Sequence, residues 1–168
     1  MKVKPLFIEK QRFTQWWLWA IICIGLLIGS YSIYMQYHNG AISKNIFFLY
    51  NLFEASILLL FVSLRLQTTV TKNEIQVFYF PFHWKKRKYP FSTIKKMEII
   101  TYSPIRDYGG WGVRLSLNGK AFNVRGDKGL KLYFDYRKPL LIGTQKPEEL
   151  QKCLEQLNLL AQTHEKTN

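Results

Sequence analysis

Two stretches of the chain carry no polar rhythm. Residues 16–35, WWLWAIICIGLLIGSYSIYM, hold no charge, and residues 46–64, IFFLYNLFEASILLLFVSL, hold one, Glu54. At about 1.5 Å per residue such runs make helices of roughly 30 Å, the thickness of a bilayer core. Trp16, Trp17 and Trp19 stand at one end of the first run and Tyr31, Tyr34 and Tyr37 at the other. That is where aromatic side chains sit when a helix meets both membrane interfaces. The link QYHNGAISKN is short enough to join the runs as an antiparallel hairpin.

After residue 65 the period falls to two. In VRLSL, 113–117, Val113, Leu115 and Leu117 share one face and Arg114 and Ser116 the other. In 130–136 Leu130, Leu132, Phe134 and Tyr136 alternate with Lys131, Tyr133 and Asp135. Residues 75–80, 97–102 and 139–143 also read as strands. Asn118-Gly119 predicts a two-residue hairpin turn, GDKG at 126–129 another, and Lys72-Asn73 the first. From Pro147 the period becomes helical, with Leu150, Cys153, Leu154, Leu157 and Leu160 on one face. The sequence therefore divides into an N-terminal flank, 1–15; a transmembrane helical hairpin, 16–64; a β-rich domain with a closing helix, 65–162; and a tail, 163–168.

Charge sets the orientation. The chain carries +13, and residues 65–168 hold 19 of its 24 basic and 9 of its 11 acidic residues. Lys2, Lys4, Lys10 and Arg12 precede the first run, only Lys44 lies in the link, and Arg65, Lys72 and the cluster 85–88 follow the second. Positive charge collects on the cytoplasmic side, so both termini are expected there. A cleaved leader is the competing reading, but the first run is too long, lacks a small-residue cleavage site and is followed by a second run. Cys23 and Cys153 fall in different compartments and staple nothing.

The run YGGWGVR, then NG, NVRGDKG and LLIGTQKPEEL, resembles the C-terminal half of small bacterial membrane proteins with a pleckstrin-homology-like domain. The specific motifs cover about 102–155; the remainder agrees in layout, two membrane helices first and the domain second. The resemblance implies an α+β fold: a transmembrane hairpin, then a partly open antiparallel β-barrel or sandwich capped by the C-terminal helix. It implies a bacterial inner-membrane location and no established activity. The phosphoinositide site of eukaryotic relatives is not carried over, because its basic residues span the first hairpin and the cluster here comes later.

Candidate chemistry is sparse. RDYGGWGVR offers a ligand loop of Arg106, Gly109, Gly110, Gly112 and Arg114, but Leu115 stands where a dinucleotide fingerprint needs its third glycine, and a strand follows instead of a helix. Backbone geometry is the simpler role for those glycines. Trp84, Lys85, Lys86, Arg87 and Lys88 suit an anionic surface, each charge contributing about 1 kcal/mol there; a solvated turn is the plain alternative. Glu54, with Asn51 one turn away, either pins the helix pair or serves a relay. No catalytic constellation, cofactor motif or metal spacing occurs, and His38, His83 and His164 are isolated. The anchor and the lack of any recognised motif count against nucleic acid. The expected function is a non-catalytic, membrane-anchored module that meets anionic lipid headgroups, a protein partner or a second copy. The alternative is a small subunit of a transport or signalling assembly, with Glu54 in its core.

Overall fold

The structure, a computed structural model, describes residues 4–157. Its elements run β1 (Phe7–Arg12), α1 (Trp16–His38), α2 (Lys44–Ser63), β2 (Arg65–Val70), β3 (Glu74–Phe80), β4 (Arg87–Pro90), β5 (Lys96–Thr101), α3 (Pro104–Tyr108), β6 (Gly112–Ser116), β7 (Gly119–Asn123), β8 (Lys128–Tyr133), β9 (Leu140–Gly143) and α4 (Pro147–Gln156). The described chain forms two compact units, 13–64 and a second assembled from 4–12 and 65–157.

The first unit is the helical hairpin. Both helices are long and apolar enough to cross a membrane. The Trp19 indole donates to the Phe13 carbonyl at 2.9 Å and ties the start of α1 to the segment before it. At the other end Tyr37 stacks on Phe47, with ring centroids 5.0 Å apart.

The second unit holds two sheets. One has the order β1-β2-β3-β4, antiparallel throughout; the other has the order β5-β8-β9-β7-β6, with β7 and β9 parallel. Neither sheet closes on itself, so the architecture is α+β with one antiparallel and one mixed sheet. Leu66, Val77 and Tyr79 of the first sheet and Phe122, Leu130 and Leu132 of the second are wholly buried. The Tyr79 ring lies 6.3 Å from that of Phe122, and its hydroxyl donates to the Asn123 carbonyl at 3.2 Å. Each such side chain contributes roughly 1.5–3 kcal/mol by leaving water. Leu150, Cys153 and Leu154 put one face of α4 into the same interior. Leu160 and the tail lie outside the described residues.

Four expectations are revised. The N-terminal flank is a strand: Phe7–Arg12 pairs with Arg65–Val70 in full register, from Phe7 opposite Val70 to Arg12 opposite Arg65. The β-rich unit is therefore discontinuous, and the helical hairpin is inserted between two paired strands. The turn predicted at Asn118-Gly119 is displaced by one residue, because Ser116 pairs with Gly119 and leaves Leu117 and Asn118 in the loop. Gly119 serves another need: at φ 114°, a Cβ there would stand 2.2 Å from the Pro139 carbonyl oxygen, where β9 begins. Leu115, on the edge strand β6, and Leu117, in the loop that follows it, are both exposed, so the alternation expected over 113–117 does not carry into burial.

Candidate functional site

The basic cluster lies on the connection from β3 to β4. The chain leaves β3 at Phe80 and turns back so that the His83 N–H donates to the Tyr79 carbonyl at 2.8 Å. The Tyr79 N–H in return donates to His83 Nδ1 at 3.1 Å. The imidazole is 5% exposed and stands edge-on to Phe122 at 4.9 Å. Burial first, then the charges of Arg87 and Lys120, pull its pKa down to about 4, so the ring is neutral and its Nδ1 lone pair is available to Tyr79. His83 thus pins the loop from inside, while its neighbours are exposed: Phe82, whose ring lies 5.7 Å from that of Tyr79, is 56% exposed and Trp84 96%. Lys85, Lys86 and Arg87 are exposed beside them. Lys88 is set apart, since its ammonium lies 3.7 Å from the Glu74 carboxylate across the β3–β4 pair.

The glycine segment is committed to local geometry. Ser103 caps α3, its hydroxyl accepting from the Arg106 N–H, while the Asp107 carboxylate accepts from the Ser103 N–H at 2.8 Å. Gly109, at φ 72°, ends that short helix. Gly110 and Gly112 both sit at φ 118°, where side chains are strained. The Arg114 Nε donates to the Trp111 carbonyl at 2.9 Å, and the Trp111 indole donates to the Gly126 carbonyl at 3.1 Å. The two arginines do not converge on a common point: Arg106 pairs with its neighbour Asp107.

Sequence reading passed over Asn123, the hub of this region. Wholly buried, it accepts from the Gly112 N–H at 2.8 Å through Oδ1 and donates to the Tyr102 hydroxyl at 3.0 Å through Nδ2. Burial drives the Tyr102 phenol up to about 12, so it stays protonated. The sequence signal was present in NVRG, but an Asn before a turn suggests turn chemistry first.

A second buried polar group was also missed. Glu9, on β1, is 4% exposed; one carboxylate oxygen accepts from the Thr144 hydroxyl at 2.6 Å and the other from the Gln145 N–H at 2.7 Å. Gln11 donates to the Gly143 carbonyl at 2.7 Å. The strand that precedes the helical hairpin thereby holds the passage from β9 into α4.

Within the hairpin, Glu54 is buried between the helices. The Ser30 hydroxyl of α1 donates to Oε2 at 2.5 Å, and the Tyr50 hydroxyl is hydrogen-bonded to the same carboxylate. Gly29 makes room for both, because a Cβ there would meet the Tyr50 hydroxyl at 2.2 Å and Glu54 Oε1 at 2.5 Å. Asn51 takes no part in this contact; its amide donates to the Phe47 carbonyl of its own helix at 2.8 Å. The arrangement is that of a polar clamp between two helices.

Among the described residues no three His, Cys, Asp or Glu side chains gather in a way that could hold a metal ion. No family model, characterised protein or solved structure matches the chain.

Proposed function

We propose that the chain is an integral membrane protein whose helical hairpin spans a bacterial inner membrane. Its β-rich unit, of pleckstrin-homology-like build, stands on the cytoplasmic side as a non-catalytic interaction module facing anionic lipid or a protein partner. The β1–β2 register carries this reading. Two strands that pair along their whole length lie on one side of any membrane, so the segment between them must cross an even number of times. Two apolar helices of 23 and 20 residues satisfy that requirement. Only 6% of each apolar window is buried within the protein, unlike a soluble core helix. A cleaved leader is disfavoured as well, because cleavage after α1 would remove Phe7–Arg12, and with it Glu9 and Gln11, from the sheet. The skew of positive charge selects the cytoplasmic side.

Substituted-cysteine labelling in intact cells tests the topology. In a chain carrying Cys23→Ser and Cys153→Ala, Asn39→Cys should react with an impermeant thiol reagent, and Asn73→Cys only after the cells are opened. A reactive residue 73 in intact cells, or a mature chain lacking its N-terminal strand, refutes the proposal.

A further inference from the structure

We infer that the β3–β4 loop is an interfacial foot: Phe82 and Trp84 enter the headgroup layer of an anionic bilayer, and Arg65, Lys85 and Lys86 meet its phosphates. The inference rests on the membrane reading above and adds to it which residues touch lipid.

Three observations carry it. The first is the shape of the loop. Large apolar side chains that face water side by side mark an interaction surface, whereas isolated ones are ordinary. Here the turn is fixed by the reciprocal Tyr79–His83 hydrogen bonds, so Phe82, its ring 5.7 Å from that of Tyr79, and Trp84 remain exposed on either side of a buried residue. An amphipathic aromatic ring beside ammonium groups is the composition that favours the membrane–water boundary.

The second is charge. Among the described residues neither Lys85 nor Lys86 forms an ion pair, while Lys88 is paired with Glu74. Arg12 and Arg65 are both exposed and stand directly opposite each other across β1 and β2. Like charges in that position repel, and a nearby anion relieves them. Arg65 also lies over the Phe80 ring, 5.2 Å from its centroid, at the root of the loop.

The third is connectivity. Arg65 directly follows Leu64, where α2 ends, and pairs with Phe80, where the loop begins. Trp84 is four residues further on, within about 14 Å of Phe80 by chain length alone. The loop therefore grows from the end of the sheet at which the chain passes to and from the helices. The β2–β3 turn at Lys72-Asn73 lies at the other end of the same strands, about 20 Å away.

The test uses the full chain with Cys23→Ser and Cys153→Ala, reconstituted into vesicles. An environment-sensitive fluorophore is placed at Trp84→Cys, Phe82→Cys or, as the far-end control, Asn73→Cys. The vesicles are phosphatidylglycerol–phosphatidylcholine mixtures or phosphatidylcholine alone, each with a shallow spin-labelled lipid as quencher. Quenching at 84 and 82 should exceed that at 73 several-fold in the anionic vesicles and drop in the neutral ones. Lys85→Gln with Lys86→Gln should shift the loop out of the interface by roughly fivefold per charge, some 30-fold together. If 84 is quenched no more than 73 while the hairpin resists carbonate extraction, the foot is refuted, the membrane reading stands, and the loop is assigned to a protein partner. Equal quenching at 84 in neutral vesicles refutes the anionic assignment. A chain that carbonate strips from the vesicles refutes both proposals.

Discussion

The contact that most directly joins the N-terminal strand to the rest of the β-rich unit is Glu9 with Thr144 and Gln145, and its worth can be worked out. Residues 13–64 can be excised for the measurement. Arg12 pairs directly with Arg65, so an Asn-Gly dipeptide joining them closes a two-residue hairpin turn. In that background Glu9→Ala removes a carboxylate that accepts at 2.6 and 2.7 Å. Hydrogen bonds to a charged group contribute about 1.5–3 kcal/mol each. The desolvation of a buried carboxylate offsets part of that sum. Of the donors left behind, Gln145 is exposed and can turn to water, whereas the buried Thr144 hydroxyl still accepts from the Lys146 N–H but its own proton loses its acceptor. The net loss is about 2–3 kcal/mol, which for a unit of this size lowers Tm by roughly 10–20 °C.

Glu9→Gln separates geometry from charge. Its carbonyl oxygen still accepts from the Gln145 N–H, and its amide can donate to the Thr144 oxygen once that hydroxyl rotates, so the loss should stay near 1 kcal/mol. Thermal unfolding followed by tryptophan fluorescence gives both values. An alanine variant as stable as the parent, or a glutamine variant as damaged as the alanine one, would falsify the clamp. A chain beginning at Arg65, with no strand β1, should unfold at lower temperature than either.

Two further outcomes test other parts of the molecule. Gly29→Ala should lower the thermal stability of the full chain in detergent, and Tyr50→Phe added to it should restore part of the loss, because the Tyr50 hydroxyl is the nearest atom to the new methyl group; a Gly29→Ala chain of unchanged stability shows that the helices do not pack through this clamp. His83 has a pKa near 4 when folded and about 6.5 when unfolded, so the unfolded chain takes up the proton first: its contribution is complete above pH 6.5 and is lost as pH falls from 6.5 to 4. Allowing for solvent screening, the loss is about 2 kcal/mol, and it should vanish from the difference between parent and His83→Gln curves if His83 does not titrate in that window.

The parts legible in the sequence were those in which a single physical demand dominates. A bilayer-length apolar run needs no neighbour to explain it, and α1 and α2 fall within three residues of the runs 16–35 and 46–64. The closing helix from Pro147 and the turn at Lys72-Asn73 follow from local rules in the same way. What escaped was whatever depends on a distant partner. In FIEKQR the buried positions are Phe7, Glu9 and Gln11, and two of those three are polar, so the alternation of burial is intact while the alternation of hydropathy is not. Glu9 is tolerated inside because its partners arrive from residues 144 and 145, which no local window contains. The parallel pairing of β7 with β9 is hidden for the same reason: β8 comes between them in sequence and pairs with the other edge of β9. Gly119 was legible as a turn glycine and was used as a point of close approach, since the pressure on it comes from Pro139.

The insertion also explains why the links around the hairpin are short. Three residues, 13–15, lead from Arg12 into α1, and one, Leu64, leads from α2 back to Arg65. Paired strands run about 5 Å apart and packed helices about 8–10 Å apart, so the two ends of a helical hairpin nearly match the two ends of a β-hairpin, and little chain is needed to bridge the difference. A long tether would leave the β-rich unit to diffuse in a volume above the membrane. A connection through two short links confines it at both strands of its own sheet, and the confinement falls at the Arg12–Arg65 pair. On the proposed membrane reading, a surface at that end of the sheet would meet the bilayer at a high effective concentration, so weak contacts would suffice to orient it. On that reading, a loop with exposed Phe82 and Trp84 and with Lys85 and Lys86, which form no ion pair among the described residues, would be too little for a free protein to bind lipid firmly and enough for a unit anchored by two short links.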